Sequence, residues 1–193
     1  MLKSEIKNTL KMCRFCYMCR HSCPVFLTTK LDTNTPRGYA LLLSRFDEGL
    51  TGMSDTLINK LYECTQCGLC KEICEFHWDE DEVVRSGREY AVEQGRAPQN
   101  VKDALAVIDA KYALPVGNKA IVERKGAGVL YYGGREAAQN RAIVESVEKI
   151  FAAAKVNYAV LSQELQSGAE LYELGFTDKA RKAAEVLRKR STA

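Results

Sequence analysis

A chain of 193 residues, 46% of them hydrophobic, is long enough to bury one core or two small ones. Its 28 basic and 25 acidic side chains leave a formal charge of +3, too small a surplus to suggest nucleic-acid binding. No apolar run approaches the ~18 residues of a membrane span. Met1 to Lys11 holds no signal-peptide core or twin arginine. The expectation is a cytoplasmic protein that reaches a membrane, if at all, through a partner.

Taken in chain order, the elements are helices first. Ile6 and Leu10 share a helical face just before Cys13. Thr35-Pro36 reads as a helix start, a capping hydroxyl followed by proline in the first turn, with Leu41, Leu42 and Phe46 as the inner face and Gly49 as the stop. Ser54 opens another helix with Leu57, Ile58 and Leu61, running into Cys64. Asp79 caps a third with Val83, Val84, Tyr90 and Ala91 before Gly95. Pro98 begins a fourth with Val101, Leu105 and Ile108 inside.

The segment 114–127 gathers proline, glycine and asparagine among charges and reads as a linker. Beyond it the period changes. Val129 to Tyr132 is a short apolar strand stopped by Gly133-Gly134. Glu136 to Ala154 is an amphipathic helix with Ile143, Val144, Val147, Ile150 and Phe151 inward, and Tyr158 to Leu161 is a second strand. Such a β–α–β unit implies parallel strands. Thr177 or Asp178 caps a last helix to Arg190, whose Arg181, Lys182, Arg188, Lys189 and Arg190 read as a solvated face. The strand–glycine–helix turn is no nucleotide site: G-x-G-x-x-G is absent, and Glu136 stands where a phosphate would lie.

The fold class is therefore α+β. An all-helical domain spans 1–113, and a small α/β half-domain spans 128–193.

The chemistry lies in eight cysteines, arranged as Cys13-x2-Cys16-x2-Cys19-x3-Cys23 and Cys64-x2-Cys67-x2-Cys70-x3-Cys74. This is the spacing of bacterial-type ferredoxins that hold paired [4Fe–4S] clusters, in which the fourth cysteine of each run ligates the other cluster. Three cysteines at x2 intervals let one tight loop present sulfur to three corners of a cube. The fourth, four positions on, is displaced too far to close that cube easily.

Crossing assigns Cys13, Cys16, Cys19 and Cys74 to a first cluster, and Cys64, Cys67, Cys70 and Cys23 to a second. Structural zinc has no use for a third cysteine at x2 in one tetrahedral site. Cysteines this close in one loop also make poor disulfide partners. Two oxidised clusters with their thiolates carry about −2 apiece, which would bring the loaded chain near −1. Arg14, Arg20 and Lys71 lie within the loops, either as potential-raising charges or as solvated ones. His21 and His77 are loop residues, since sulfur already fills all eight ligand positions.

Three further segments carry a family resemblance. Asn34-Thr35-Pro36-Arg37-Gly38 is similar to a Pro-Arg-Gly segment, and Leu61-Tyr62-Glu63-Cys64-Thr65-Gln66-Cys67-Gly68-Leu69-Cys70 to the second cluster loop, of iron–sulfur subunits related to heterodisulfide reductase C and to those of anaerobic glycerol-3-phosphate, glycolate and lactate dehydrogenases. Members of this group often continue into a cysteine-rich domain with Cys-Cys-Gly signatures. The C-terminal part here resembles the first half of such a domain without its thiols: Gly134 and Gln166-Ser167-Gly168 stand at the signature positions, followed by Leu171-Tyr172-Glu173-Leu174-Gly175. Cys74 is followed by Glu75 where a proline is expected.

The resemblance implies an electron-transfer subunit with no catalytic residue of its own. It would pass electrons through two [4Fe–4S] clusters between a flavin or ferredoxin partner and a catalytic subunit of a heterodisulfide reductase-like complex. Two alternatives are an acceptor-side subunit of a flavin-dependent hydroxy-acid or glycerol-3-phosphate dehydrogenase, and an iron–sulfur sensor.

Overall fold

A computed structural model describes residues 2, 4–13, 16–113, 127–134, 137, 140–160 and 166–191, without the side chains of 111–113 and 190–191. The chain sorts into two compact units, one of Met1–Asp103 with Leu171–Thr177, the other of Ala104–Glu170 with Asp178–Ala193.

The first unit is helical. A 3-10 turn at Ser4–Ile6 leads into α1 (Lys7–Met12), followed by α2 (Pro24–Thr29), α3 (Pro36–Asp47), α4 (Asp55–Glu63), α5 (Leu69–Glu72) and α6 (Glu80–Glu93); α7 (Gln99–Ala113) then runs on past the unit's edge. The expected caps form. Thr35 Oγ1 accepts from Gly38 N–H at 2.9 Å ahead of Pro36, Ser54 Oγ from Leu57 N–H at 3.2 Å, and Asp79 Oδ1 from Glu82 N–H at 3.3 Å. Each satisfies a donor that a helix start would otherwise leave open.

The core is the meeting of α1, α3, α4 and α6, built on Ile6, Leu10, Tyr39, Leu43, Ile58, Leu61, Val83, Val84 and Ala91. Phe46 and Tyr90 close its edge with ring centroids 5.0 Å apart.

The inner face of α3 differs from the expected one. Leu41 is exposed, Leu42 and Phe46 are only partly buried, and the buried set is Tyr39, Ala40 and Leu43. Two glycines turn the helix this way. A Cβ on Gly38 would fall on the Asp32 carbonyl, so α3 presses its first turn against the 3-10 turn Asp32–Asn34. A Cβ on Gly87 would lie 2.7 Å from Leu61 Cδ1 and 3.2 Å from Leu43, so α6 approaches α3 at Leu43.

The second unit holds β1 (Val129–Tyr131), α8 (Arg141–Ala153) and β2 (Tyr158–Val160), then α9 (Ala169–Glu173) and α10 (Thr177–Ser191), which lie partly in it. The two strands pair in parallel, Val129 opposite Tyr158 and Tyr131 opposite Val160, as the β–α–β pattern predicts. The connecting helix is shorter than expected. Asn140 is extended, and its side-chain oxygen accepts from Ala142 N–H at 3.1 Å, so Arg141 is the first residue of α8.

Ile143 and Ile150 do not face inward but are exposed, and no residue of α8 is fully buried. Phe151 packs on both strands, its ring 4.5 Å from that of Tyr158 and 5.8 Å from that of Tyr131. Arg181, Lys182, Arg188 and Lys189 are exposed on α10. Residues 114–126 of the expected linker, with Glu136 and Leu161, lie outside the described residues. Among the described residues no helix is long and apolar enough to cross a membrane.

Candidate metal centre

The first cysteine run begins where α1 ends. Cys13 is the C-cap, its N–H donating to the Thr9 carbonyl at 2.8 Å, and its side chain is buried. Cys16 follows in the loop, with Met18 N–H directed at its sulfur at 3.5 Å. A 3-10 turn at Met18–His21 carries the buried Cys19. Cys23 stands one turn further on, in extended conformation, immediately ahead of Pro24 at the start of α2. Its Sγ lies 3.6 Å from the Asn34 carbonyl. The longer third gap thus spends a full turn and moves the fourth sulfur away from the other three.

The second run repeats the design. Cys64 caps α4 in extended conformation, and Gln66 at φ 52° and Gly68 at φ 73° turn the loop into α5, which carries Cys70. The left-handed backbone at Gly68 suits a residue without a Cβ. Cys74 lies past the end of α5, its Sγ facing Trp78 N–H at 3.4 Å. The Gln66 amide reaches both Cys64 Sγ (3.6 Å) and the Asp81 carbonyl (3.3 Å), tying the loop to α6.

Two cavities result. One, of about 300 Å³, is lined by Cys13, Cys16, Cys19 and Cys74, with Met12, Met18, Phe76 and Trp78 at its walls. The other is lined by Cys64, Cys67, Cys70 and Cys23, with Tyr39, Val84 and Asp81; it is tighter, about 20 Å³, so filling it with a larger body requires its loop to give. Each therefore draws three sulfurs from one run and the fourth from the other. Glu80 lines both.

The sulfurs surround volumes rather than a point. Among the described residues no three Cys, His, Asp or Glu side chains converge as a single ion would require. Four thiols at each cavity fit the ligand chemistry of a [4Fe–4S] cluster.

Burial makes four of the thiols, those of Cys13, Cys19, Cys64 and Cys70, reluctant to ionise. Burial pushes the Cys13 thiol far up, helped by the Glu80 carboxylate that its Sγ–H meets at 3.1 Å. Burial, then Glu80 and Asp81, does the same to Cys70, whose Sγ is 3.9 Å from Asp81 Oδ1. Cys19 is raised by burial to about 11 against the help of the Arg37 backbone N–H. Cys64 is raised by burial despite Gln66 and the Arg88 cation. A bound metal reverses this balance by stabilising thiolate directly, with release of the protons.

Sequence reasoning missed the acidic pair. The helix pattern from Asp79 onward singled out neither Glu80 nor Asp81, yet Glu80 is buried with its own carboxyl raised by that burial, and its Oε2 has no hydrogen-bond partner among the described residues. A signal was present: two carboxylates follow the Asp79 cap just six residues after Cys74.

Comparison with known proteins agrees with the cysteine pattern. Residues 9–78 match the family described as "4Fe-4S dicluster domain". The chain is 28% identical over 122 residues to the C2 subunit of the H(2)/formate:CoB-CoM heterodisulfide,ferredoxin reductase of Methanococcus maripaludis, covering 63% of this chain and 62% of that one. It is 29% identical over 126 residues to the C 2 iron-sulfur subunit of the CoB--CoM heterodisulfide reductase of Methanocaldococcus jannaschii, covering 65% and 63%. The chain thus spans a little under two thirds of the curated relatives it matches. No solved structure matches it.

Proposed function

We propose that this chain, a heterodisulfide reductase C-like iron–sulfur protein with a 4Fe–4S dicluster domain, is the electron relay of a multi-subunit oxidoreductase. Cys13, Cys16, Cys19 and Cys74 hold one [4Fe–4S] cluster, and Cys64, Cys67, Cys70 and Cys23 the other. The observation that carries this reading is the pair of four-thiol cavities, each completed by the other run and both walled by Glu80. A bound [4Fe–4S] cluster supplies one-electron exchange without proton or group transfer.

The residues of the chain contribute placement. α1, α4 and α5 aim the sulfurs. Tyr39, Val84 and Trp78 line the sites, and backbone N–H groups of Met18 and Trp78 address sulfur directly. The helical unit 1–113 does the holding, and the cysteine-free half-domain 128–193 offers a face to partner subunits. Those partners carry flavin or further iron–sulfur centres, and the chain passes electrons between them and a catalytic subunit of the heterodisulfide reductase-like kind. The relay works in the cytoplasm, where thiol ligands stay reduced.

Anaerobic reconstitution tests the reading. The expected content is about eight iron and eight sulfide per chain, with a magnetic resonance signal after dithionite. Cys74→Ser should lose or alter the cluster of Cys13, Cys16 and Cys19 and spare the other, and Cys23→Ser should do the reverse. If each substitution instead disturbs the cluster of its own run, the crossed assignment fails. Anaerobic co-purification from the host then identifies the partners; a companion flavoprotein oxidising a hydroxy acid would move the chain to the dehydrogenase group.

A further inference from the structure

Arg88 is a buried cation, 3% exposed, on the same face of α6 as Val84 and Ala91. A guanidinium stays charged at any ordinary pH and is costly to bury unless its donors are satisfied. Here the acceptors are main-chain carbonyls. Nε and Nη2 donate to Leu61 O at 3.0 and 2.7 Å, Nη2 also to Cys64 O at 2.5 Å, and Nη1 to Glu173 O at 2.8 Å. The first two acceptors are at the C-terminal end of α4, and Glu173 ends α9. Carbonyls left open by helix termini are suited to a cation. The Tyr62 ring lies under the guanidinium, 4.9 Å from centroid to Cζ.

The segment 171–177 is the clamp. Tyr62 Oη donates to Leu174 O at 3.0 Å, and the Tyr172 ring stacks on Arg85 at 3.7 Å. Gly175, at φ 89°, touches the backbone of Arg88 itself: a Cβ there would lie 2.7 Å from Arg88 C and 2.8 Å from Glu89 N. The chain returns from the second unit to pin one charged residue beside the carbonyl of a cysteine ligand.

We propose that Arg88, clamped by residues 171–177, is a positioning residue that sets the reduction potential of the cluster held by Cys23, Cys64, Cys67 and Cys70. This rests on the two-cluster reading above. One-electron reduction takes a [4Fe–4S]²⁺ core to [4Fe–4S]⁺, so the cluster with its four thiolates goes from about −2 to about −3. A fixed positive charge in a poorly screened interior favours the more negative state and raises the potential. Backbone carbonyls hold the guanidinium without neutralising it as a carboxylate would. The thiol-free remnant thereby acquires a use that needs no cysteine: it supplies the Glu173 carbonyl and the Gly175 contact.

The test is a dithionite redox titration of the reconstituted full chain, followed by magnetic resonance, with iron and sulfide measured first. Wild-type protein that lacks about eight iron and eight sulfide defeats the two-cluster reading before any variant is made. Given that content, the signal lost in Cys67→Ser identifies the second cluster. Arg88→Gln should shift that cluster to more negative potential by several times any shift of the first, whereas Arg88→Lys, which keeps the charge, should stay close to wild type. Gly175→Ala should shift the second cluster in the same direction as Arg88→Gln. Equal shifts at both clusters, or no shift in Arg88→Gln with both clusters present, overturn the proposal. If Arg88→Gln and Arg88→Lys both lose the second cluster, Arg88 is a fastener of the loop and the proposal fails as well.

Discussion

The helices α3, α4 and α6 of the first unit and α8 of the second carry comparable amphipathic patterns, yet only the first group buries its apolar face. Leu43, Leu61, Val83 and Ala91 are at 0% exposure, whereas Ile150 of α8 is 63% exposed and Ile143 39%. The difference is supply rather than pattern. In the first unit four helices present apolar faces to one another, and Gly87 brings two of them together closely. In the second, α8 has a two-stranded parallel sheet to pack on, and β1 leaves Val129 and Leu130 exposed. Parallel sheets are normally covered on both faces, and two strands make a small layer. An amphipathic period says which face of a helix is apolar; what covers that face is a property of the neighbours.

The sharpest test of that contrast is core truncation. Leu61→Ala empties a site bordered by Gly87 and Leu43 and should cost about 2–5 kcal/mol. A urea titration of the loaded protein, with cluster absorbance followed in parallel, should show both transitions moving together because α4 ends at Cys64. Next comes Gly87→Ala, whose new Cβ would stand 2.7 Å from Leu61 Cδ1. Overpacking of this kind should cost about 1–3 kcal/mol. If either substitution leaves the midpoint unmoved, the close approach of α3 and α6 is not what holds the first unit.

How much of this was legible beforehand divides along the same line. The starts of α3, α4 and α6 were readable because Thr35, Ser54 and Asp79 act locally, through a side-chain acceptor for a nearby N–H. The parallel pairing of β1 with β2 followed from the order of elements. The rotation of α3 was not readable, because Leu41 and Leu43 are equally apolar and the choice belongs to Gly38, pressed on the turn just before the helix, and to Gly87, which sits against Leu43 and Leu61 far back in the chain. Short helices such as α5, four residues long, lack enough length for a period.

At the sulfur sites the cysteines announced themselves by spacing, but Glu80 and Arg88 did not. Each looks like a surface charge in a helix, and only the packing of α6 turns it inward. Arg88 did carry a faint signal, four residues after Val84 and three before Ala91 on an apolar face. The return of 171–177 to the first unit had no local signal at all, since its contacts with Arg88 and Tyr62 span 85 and 112 residues of sequence.

A smaller effect separates the units by their caps. Ser54→Ala removes the acceptor for Leu57 N–H, and Asn140→Ala the acceptor for Ala142 N–H. Each substitution should cost its helix about 1 kcal/mol. Ser54→Ala should lower the global unfolding free energy by that amount, and the midpoint with it, because α4 belongs to the cooperative core. Asn140→Ala should speed amide exchange in the first turn of α8 and leave the cluster-reporting transition where it was. Equal movement of the global midpoint by both would mean that the units melt as one.

The smallest expected effect is the most discriminating. Ile150 is a large apolar side chain near the C-terminal end of α8, and at 63% exposure it has little buried area to lose. Ile150→Ser trades an exposed apolar side chain for a polar one, so the change in stability should stay within about ±0.5 kcal/mol. Solubility should rise, since Ile150 and Ile143 of α8 are both exposed apolar side chains. Chemical denaturation of the isolated chain measures the first quantity, and light scattering near the midpoint the second. A loss of about 2 kcal/mol or more, the range of a truncated core side chain, would mean that Ile150 is covered in solution as Leu61 is covered in the core. The contrast between the two units would then be one of which neighbour does the covering, and α8 would join the helices whose pattern and burial agree.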